Sequence, residues 1–342
     1  MKKVLLVLTL SILFLVSCGK KEATSDNGKT ETSKENGKIK VAIVYSTGGL
    51  GDHSFNDAAQ RGLEKSKAEL GIEYVSYEPK DPTSEAENQL RNYAESEEYD
   101  LIIATGFMMK DALVAVAKEF PDQKFAITDE RVPELKNVAS LTFKEHEGSF
   151  LAGALAAMMS KTGTVGFVGG AEAPLIQKFE AGFKQGALYV NPEINVLSVY
   201  IGGTNAFHDP ASAKVRTEAL ASQGADVVYH AAGSSGQGMI QAAKDKGIYA
   251  IGVDSNQDDI APGIVLTSML KLVDVAVFDQ IREIQNGKFV GGVYEYGVKE
   301  GGVGLTDFKY TKDKIGEENI KKLDEIKQKI VSGEIVVKPT RN

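Results

Sequence analysis

The stretch IKVAIVYSTGGLGDHSFNDAAQRGLEKSKAELG, residues 39–71, decides the fold. Its β-branched start, 39–45, reads as a short buried strand, and a glycine-rich turn follows. From Asn56 onward Ala59, Leu63 and Leu70 share one helical face, and Gly71 offers a stop. The same strand-turn-helix alternation recurs along the chain. Strand candidates lie at 74–77, 101–104 and 124–128 in the first half, and at 164–168, 195–201, 227–230 and 249–253 in the second. Repeated βα units build mostly parallel sheets flanked by helices, so the chain reads as an α/β fold of two lobes. Runs at 138–143 and 264–268, the latter before a helix at 273–285, are expected to cross between the lobes. That places 39–143 with 269–298 in the first lobe and 144–268 with 299–342 in the second. Several crossings make a constrained hinge that closes on a ligand. A helix over 317–331, with Ile320, Leu323, Ile326 and Ile330 at helical spacing, packs on the second lobe.

Upstream of the lobes, Lys2 and Lys3 precede an apolar run broken only by Thr9 and Ser11, too short for a comfortable membrane span. Residues 1–17 read as a cleavable signal peptide. The ending Leu15-Val16-Ser17-Cys18 resembles a bacterial lipobox, in which the cysteine becomes an acylated N-terminus carrying chains such as palmitate. The alternatives are an ordinary signal peptide with a stray thiol, or a core cysteine. Cys18 is the only cysteine, which excludes a disulfide framework and a thiolate zinc site. From Gly19 to Lys38 there is no large apolar residue, so 18–38 reads as a lipidated cysteine on a flexible tether.

The chain has 342 residues and a net charge of −8, and loss of Lys2 and Lys3 with the leader makes it −10. An acidic body without a basic face argues against nucleic-acid binding. No later apolar stretch has the length of a membrane helix. The protein is therefore expected outside the cytoplasm in the cell envelope, touching its membrane through lipid alone.

In open parallel sheets ligands bind beyond the carboxyl ends of the strands. At those ends this chain places Ser46, Asp52, Ser54, Phe55 and Asn56, then Thr105 and Gly106, Asp129, Asn205 and Phe207, Gly233, and Asp254. Ser54 or Asn56 has a plainer reading as a helix N-cap. Asp129 and Asp254 have one as solvated turn formers. Phe55 and Phe207 are harder to explain as turn residues, because a ring among polar neighbours gains most by packing, either on a flat ligand or as a cap on the core.

Four motifs in order, Gly51-Asp52-His53-Ser54-Phe55-Asn56, Glu147-Gly148-Ser149-Phe150-Leu151-Ala152-Gly153, Ala231-Ala232-Gly233 and Gly252-Val253-Asp254, resemble the basic membrane protein family, which includes purine nucleoside receptor lipoproteins. The resemblance covers essentially Lys38 to Lys338. It implies a type I periplasmic-binding-protein fold, a nucleoside ligand, delivery to an ABC importer permease, no cofactor and a monomer. It also implies that Phe55 and Phe207 stack on the base while Asn56 and Asp129 bond its edge. Asp254, Lys271 and the Gly233 backbone would hold the ribose hydroxyls, with Ser46 on the pocket wall. Lys271 near Asp254 would keep that carboxylate ionised, although Lys271 also reads as a residue that opens a helix and pairs with Asp274 in solvent. Glu130-Arg131 adds charge beside Asp129, which leaves the preferred base open, and His53 has no assigned role.

The rival classes are an enzyme and a binder of another small ligand. His53, His146, His208 and His230 show no metal-ligand spacing. The glycines around 163–170 lack a dinucleotide-binding order, and no phosphate-binding Lys-Ser/Thr loop is present. The run Asp254-Ser255-Asn256-Gln257-Asp258 begins like a calcium loop but has Asp259 and Val265 at the positions that need Gly and Glu. A nucleoside hydrolase would use Asp254, Asp258 and Asp259 with a metal. A sugar site would use the same aromatic faces and carboxylates.

Overall fold

A computed structural model describes residues 37–341. The expected leader at 1–17, Cys18 and nearly all of the 18–38 tether lie outside the described residues. The first half runs β1 (Lys40–Val44), α1 (Phe55–Leu70), β2 (Glu73–Tyr77), α2 (Pro82–Glu95), β3 (Leu101–Ala104), α3 (Lys110–Glu119), β4 (Phe125–Thr128) and β5 (Val138–Phe143). The second continues with α4 (Glu145–Met159), β6 (Thr164–Gly169), α5 (Pro174–Val190), β7 (Asn195–Tyr200), α6 (Pro210–Ser222), β8 (Val227–Ala231), α7 (Gly236–Lys246), β9 (Tyr249–Asp254) and β10 (Val265–Lys271). The tail adds α8 (Val273–Gln285), β11 (Gly292–Tyr296), β12 (Val303–Leu305), α9 (Lys312–Ile315) and α10 (Glu317–Ser332).

These strands form two sheets of six, ordered β2-β1-β3-β4-β5-β11 and β7-β6-β8-β9-β10-β12. Every pairing is parallel except β10 with β12. The central strands are apolar on both faces and fully buried, as sheets covered by helices on each side require. The order reverses beside β1 in one sheet and beside β6 in the other, which is where a doubly wound sheet opens a crevice.

The two runs expected to cross between the lobes are strands within the sheets, and the boundary expected at 268/269 falls beyond β10. The runs 138–143 and 264–268 are not bare crossings: β5 is buried along its whole length inside the first sheet, and β10 belongs to the second sheet through Lys271. The chain instead passes between sheets at Lys144, at Leu272 and between β11 and β12. Beyond Leu272, α8 packs on α1, where a Cβ on Gly62 would meet the Asp274 carbonyl at 2.7 Å. The three passing segments bond to one another. Lys144 N–H donates to Tyr296 O at 3.0 Å, Leu272 N–H to Gly302 O at 2.9 Å, and Val298 N–H to Glu147 Oε2 at 2.8 Å.

The Glu-Gly-Ser-Phe-Leu-Ala-Gly run of α4 has a packing cause. A Cβ on Gly153 would stand 1.9 Å from the Phe183 carbonyl, and one on Gly186 the same distance from the Phe150 carbonyl, so α4 and α5 touch backbone to backbone. The expected tail helix is α10, with Leu323, Ile326 and Ile330 buried and its flank against α4.

Candidate functional site

All eight residues that the sequence singles out for a ligand line one cleft between the sheets: Ser46, Phe55, Asn56, Asp129, Phe207, Gly233, Asp254 and Lys271. About 530 Å³ of the cleft, open solvent at its mouth included, is not occupied by protein atoms. The first sheet's side supplies Ser46, Phe55, Asn56, Phe107 and Asp129, and the second's supplies Phe179, Phe207, Gly233, Asp254 and Lys271.

Local sequence sets each group. Asp52, 1 % exposed, accepts from the backbone N–H groups of Ser54, Asn56 and Asp57 and so caps α1. Burial pushes its carboxyl up to about 6 against those bonds. Ser54 occupies the N-cap position without making the cap bond, and its hydroxyl donates to Asp254 Oδ2 across the cleft. Asn56 is half committed: its Oδ1 accepts from Ser46 N–H at 3.0 Å and its Nδ2 donates to Asp52 at 3.2 Å, leaving one amide proton for a ligand. The Phe207 ring lies on Gly170, where a Cβ would come within 2.5 Å of it, and meets Phe107 edge-on at 6.4 Å.

Asp129 and Asp254 sit at the carboxyl end of the fourth strand counted from each sheet's outer helix-linked edge, β4 from β2 and β9 from β7. Their φ angles are 67° and 63°, a left-handed conformation that aspartate tolerates and that turns each carboxylate out of its strand. Neither is a solvated turn former, because they are 9 % and 7 % exposed.

Lys271 departs from its reading as a solvent-exposed residue that opens a helix and pairs with Asp274. It ends β10 rather than opening a helix, it is 2 % exposed, and Asp274 is paired with Arg61 instead. Its ammonium contacts Asp129 at 2.6 Å, not Asp254, and stands 3.5 Å from the wholly buried Glu145. It also faces the rings of Phe55, Phe143 and Phe179 at 5.0, 5.2 and 5.5 Å. Burial works against its charge, but Asp129, Glu145 and Asp254 together hold its pKa above the usual lysine value. Burial raises the Asp254 carboxyl despite the opposing pull of Lys271 and the Ser54 hydroxyl.

Phe107, Leu175, Ile176, Phe179 and Glu145 were not singled out by sequence pattern, and Asp52 was placed at a strand end without a capping role. Phe179, Leu175 and Ile176 belong to an amphipathic helix start that looks like ordinary core. Phe107 follows Gly106, which adopts a φ of 93° at the turn after β3; a glycine closing a strand run was the available signal. The carbonyl of His53 accepts from Gln257 Nε2 at 3.1 Å. Asp258 is bound by Ser268, and among the described residues no three His, Cys, Asp or Glu groups are arranged to hold a metal ion. Glu130 and Arg131 pair with Lys110 and Glu295 and do not line the cleft.

Comparison with known proteins agrees with this architecture. Residues 38–341 match the family model Bmp, described as ABC transporter substrate-binding protein PnrA-like. The chain is 35 % identical to a CD4+ T-cell-stimulating antigen of Listeria innocua, over 98 % of this chain and 99 % of that one. It is 34 % identical to the ABC transporter nucleoside-binding protein BmpA of Lactococcus lactis, over 86 % and 88 %. The crystal structure of an ABC transporter solute-binding protein from Aeropyrum pernix superposes with a TM-score of 0.79 at 32 % identity, covering 88 % of this chain and 94 % of that one. The chain therefore belongs to the Bmp family of PnrA-like substrate-binding proteins of ABC transporters, and is not an enzyme.

Proposed function

We propose that this protein binds nucleosides, purine nucleosides foremost, in the cleft between its sheets and delivers them to an ABC permease as a lipid-anchored monomer. What carries the reading is the meeting in one cleft of two aromatic rings from opposite sides with a buried acid, a buried lysine and a buried amide. A base between Phe55 and Phe207 gains about 1–3 kcal/mol per stacked ring. The free Asn56 amide proton and the Asp129 carboxylate offer a donor and an acceptor to the base edge. Asp254 accepts from the two ribose hydroxyls, with Lys271 and the Gly233 backbone completing that end. A base without its sugar leaves the buried Asp254 charge unpaired, which disfavours it. The nucleoside-binding relative from Lactococcus lactis supports the ligand class. Relatives named as lipoproteins in Pyrococcus support acylation at Cys18.

Calorimetry with adenosine, guanosine, inosine, cytidine and uridine tests the ligand class, and Phe55→Ala and Phe207→Ala test the stack. Each variant is expected to lose most of the affinity, and a site indifferent to both changes is not the stacked one. Labelling with a palmitate analogue in the parent and in Cys18→Ala tests the anchor.

A further inference from the structure

The turn that carries Asp254 is tied to the opposite lobe by a cluster of bonds centred on Ser54. The Ser54 hydroxyl donates to Asp254 Oδ2, and the Ser54 carbonyl accepts from Ser255 Oγ at 2.7 Å. Arg61 donates to the same Ser255 hydroxyl at 2.9 Å, while Gln257 bonds the His53 carbonyl. Gln257 is itself fixed from behind, its Oε1 3.0 Å from Val253 N–H and 2.9 Å from His230 Nε2. Each partner on the first side sits in the turn before α1 or on α1, and each on the second sits just after β9. This contact exists only when the lobes are together.

We infer that Ser54 is a positioning residue for the ligand-facing carboxylate: lobe closure delivers its hydroxyl to Asp254 and fixes that carboxylate in the orientation that receives the ligand's paired hydroxyls. Three features single out this serine. Its side chain is wholly buried, and it forgoes the N-cap bond that its position invites, because Asp52 satisfies the first turn of α1 instead. Its hydroxyl is therefore free to serve the other lobe. Asp254 needs such a partner, since its left-handed backbone projects the carboxylate into a low-dielectric cleft where Lys271 is bonded to Asp129 rather than to it. One Asp254 oxygen is occupied by Ser54, which directs the remaining acceptor capacity toward the cleft. The ligand acid is thus complete only in the closed protein, so hydroxyl recognition and closure favour each other.

The inference rests on the nucleoside reading above. Its test compares Ser54→Ala, Ser54→Thr and Asp254→Asn in the full-length protein, with inosine and 2′,3′-dideoxyinosine as ligands, by calorimetry and stopped-flow kinetics. Loss of a hydrogen bond to a charged group predicts that Ser54→Ala weakens inosine by about tenfold, mainly through faster release, and dideoxyinosine by less than about twofold. Ser54→Thr restores inosine binding. The ligand-free melting temperature of Ser54→Ala stays near that of the parent, because the helix cap belongs to Asp52. An unchanged inosine affinity in Ser54→Ala overturns the inference, as does an equal loss for both ligands. If Asp254→Asn leaves inosine binding intact, the nucleoside reading fails. If Asp254→Asn weakens it and Ser54→Ala does not, the positioning role alone fails.

Discussion

Lys271 Nζ lies 2.6 Å from the Asp129 carboxylate, joining the last residue of β10 to the residue after β4 in the other sheet. This buried ion pair forms part of the cleft wall, so a cation that lines the cleft also couples the two halves of the molecule.

Lys271→Met removes the counter-charge of both Asp129 and Glu145 while keeping the side chain's bulk. Breaking a buried pair on one side typically destabilises by about 3–5 kcal/mol. Urea unfolding at neutral pH is expected to show a loss of that order together with lost ligand binding. A loss below about 1 kcal/mol would mean that the surrounding groups solvate the two acids without it.

His230 is wholly buried and burial lowers its pKa to about 4; His146 is likewise lowered to about 4. Both folded values lie below the ordinary 6.5, so between pH 6.5 and 4 the unfolded chain binds more protons. Stability from these neutral rings is complete above pH 6.5 and is lost as pH falls toward 4, on the order of 3 kcal/mol for His230. Asp52, raised to about 6 by burial, works the other way: its contribution is complete below its unfolded value and lost as pH rises through 6. Comparing parent and His230→Gln by urea titration from pH 7 to 4.5 isolates the histidine. The parent should lose more stability than the variant over that range, and parallel curves would contradict the assignment.

Asp254 offers a separate pH signature in binding. Its carboxyl is raised by burial, and its ionised form is the one that accepts two hydroxyls. Nucleoside affinity is therefore expected to weaken on acidification, beginning at a higher pH than a solvent-exposed aspartate would set. Calorimetry in steps from pH 7.5 to 4.5 checks this, and a flat affinity across the series would show that the ionised acid is not needed.

Gly153→Ala pushes a methyl group to within 1.9 Å of the Phe183 carbonyl, so α4 and α5 must separate. Overpacking of this kind costs about 1–3 kcal/mol or more. The denaturation midpoint should fall accordingly, whereas Gly163→Ala, with no atom near its Cβ but a φ of 73°, should show only the smaller backbone strain.

Sequence patterning located most strands within a residue or two, because buried parallel strands are continuous apolar runs: 101–104 and 138–143 coincide with β3 and β5. It missed β11 and β12, whose half-buried residues show no clear period. It placed the lobe exchange inside β10, since a strand's membership in a sheet depends on its partners and not on its composition. The ligand-facing turns were legible where aromatic rings and acids break the polar pattern of a loop. Lys271 was legible only by family likeness, and its partner was not, because Asp129 is 142 positions away. The role of Asp52 was hidden by Ser54, which stands at the N-cap position itself but is drawn away by a bond to the other lobe.

The two sheets repeat one strand order, and Asp129 and Asp254 fall at corresponding places in it with nearly the same backbone angle. A frame with such internal twofold likeness would, left undecorated, present identical ends to whatever enters. Here one aspartate is answered by an ammonium and its counterpart by a hydroxyl. That divergence gives the cavity a head and a tail, so a guest that is flat at one end and polyhydroxylated at the other can be told from its own reverse.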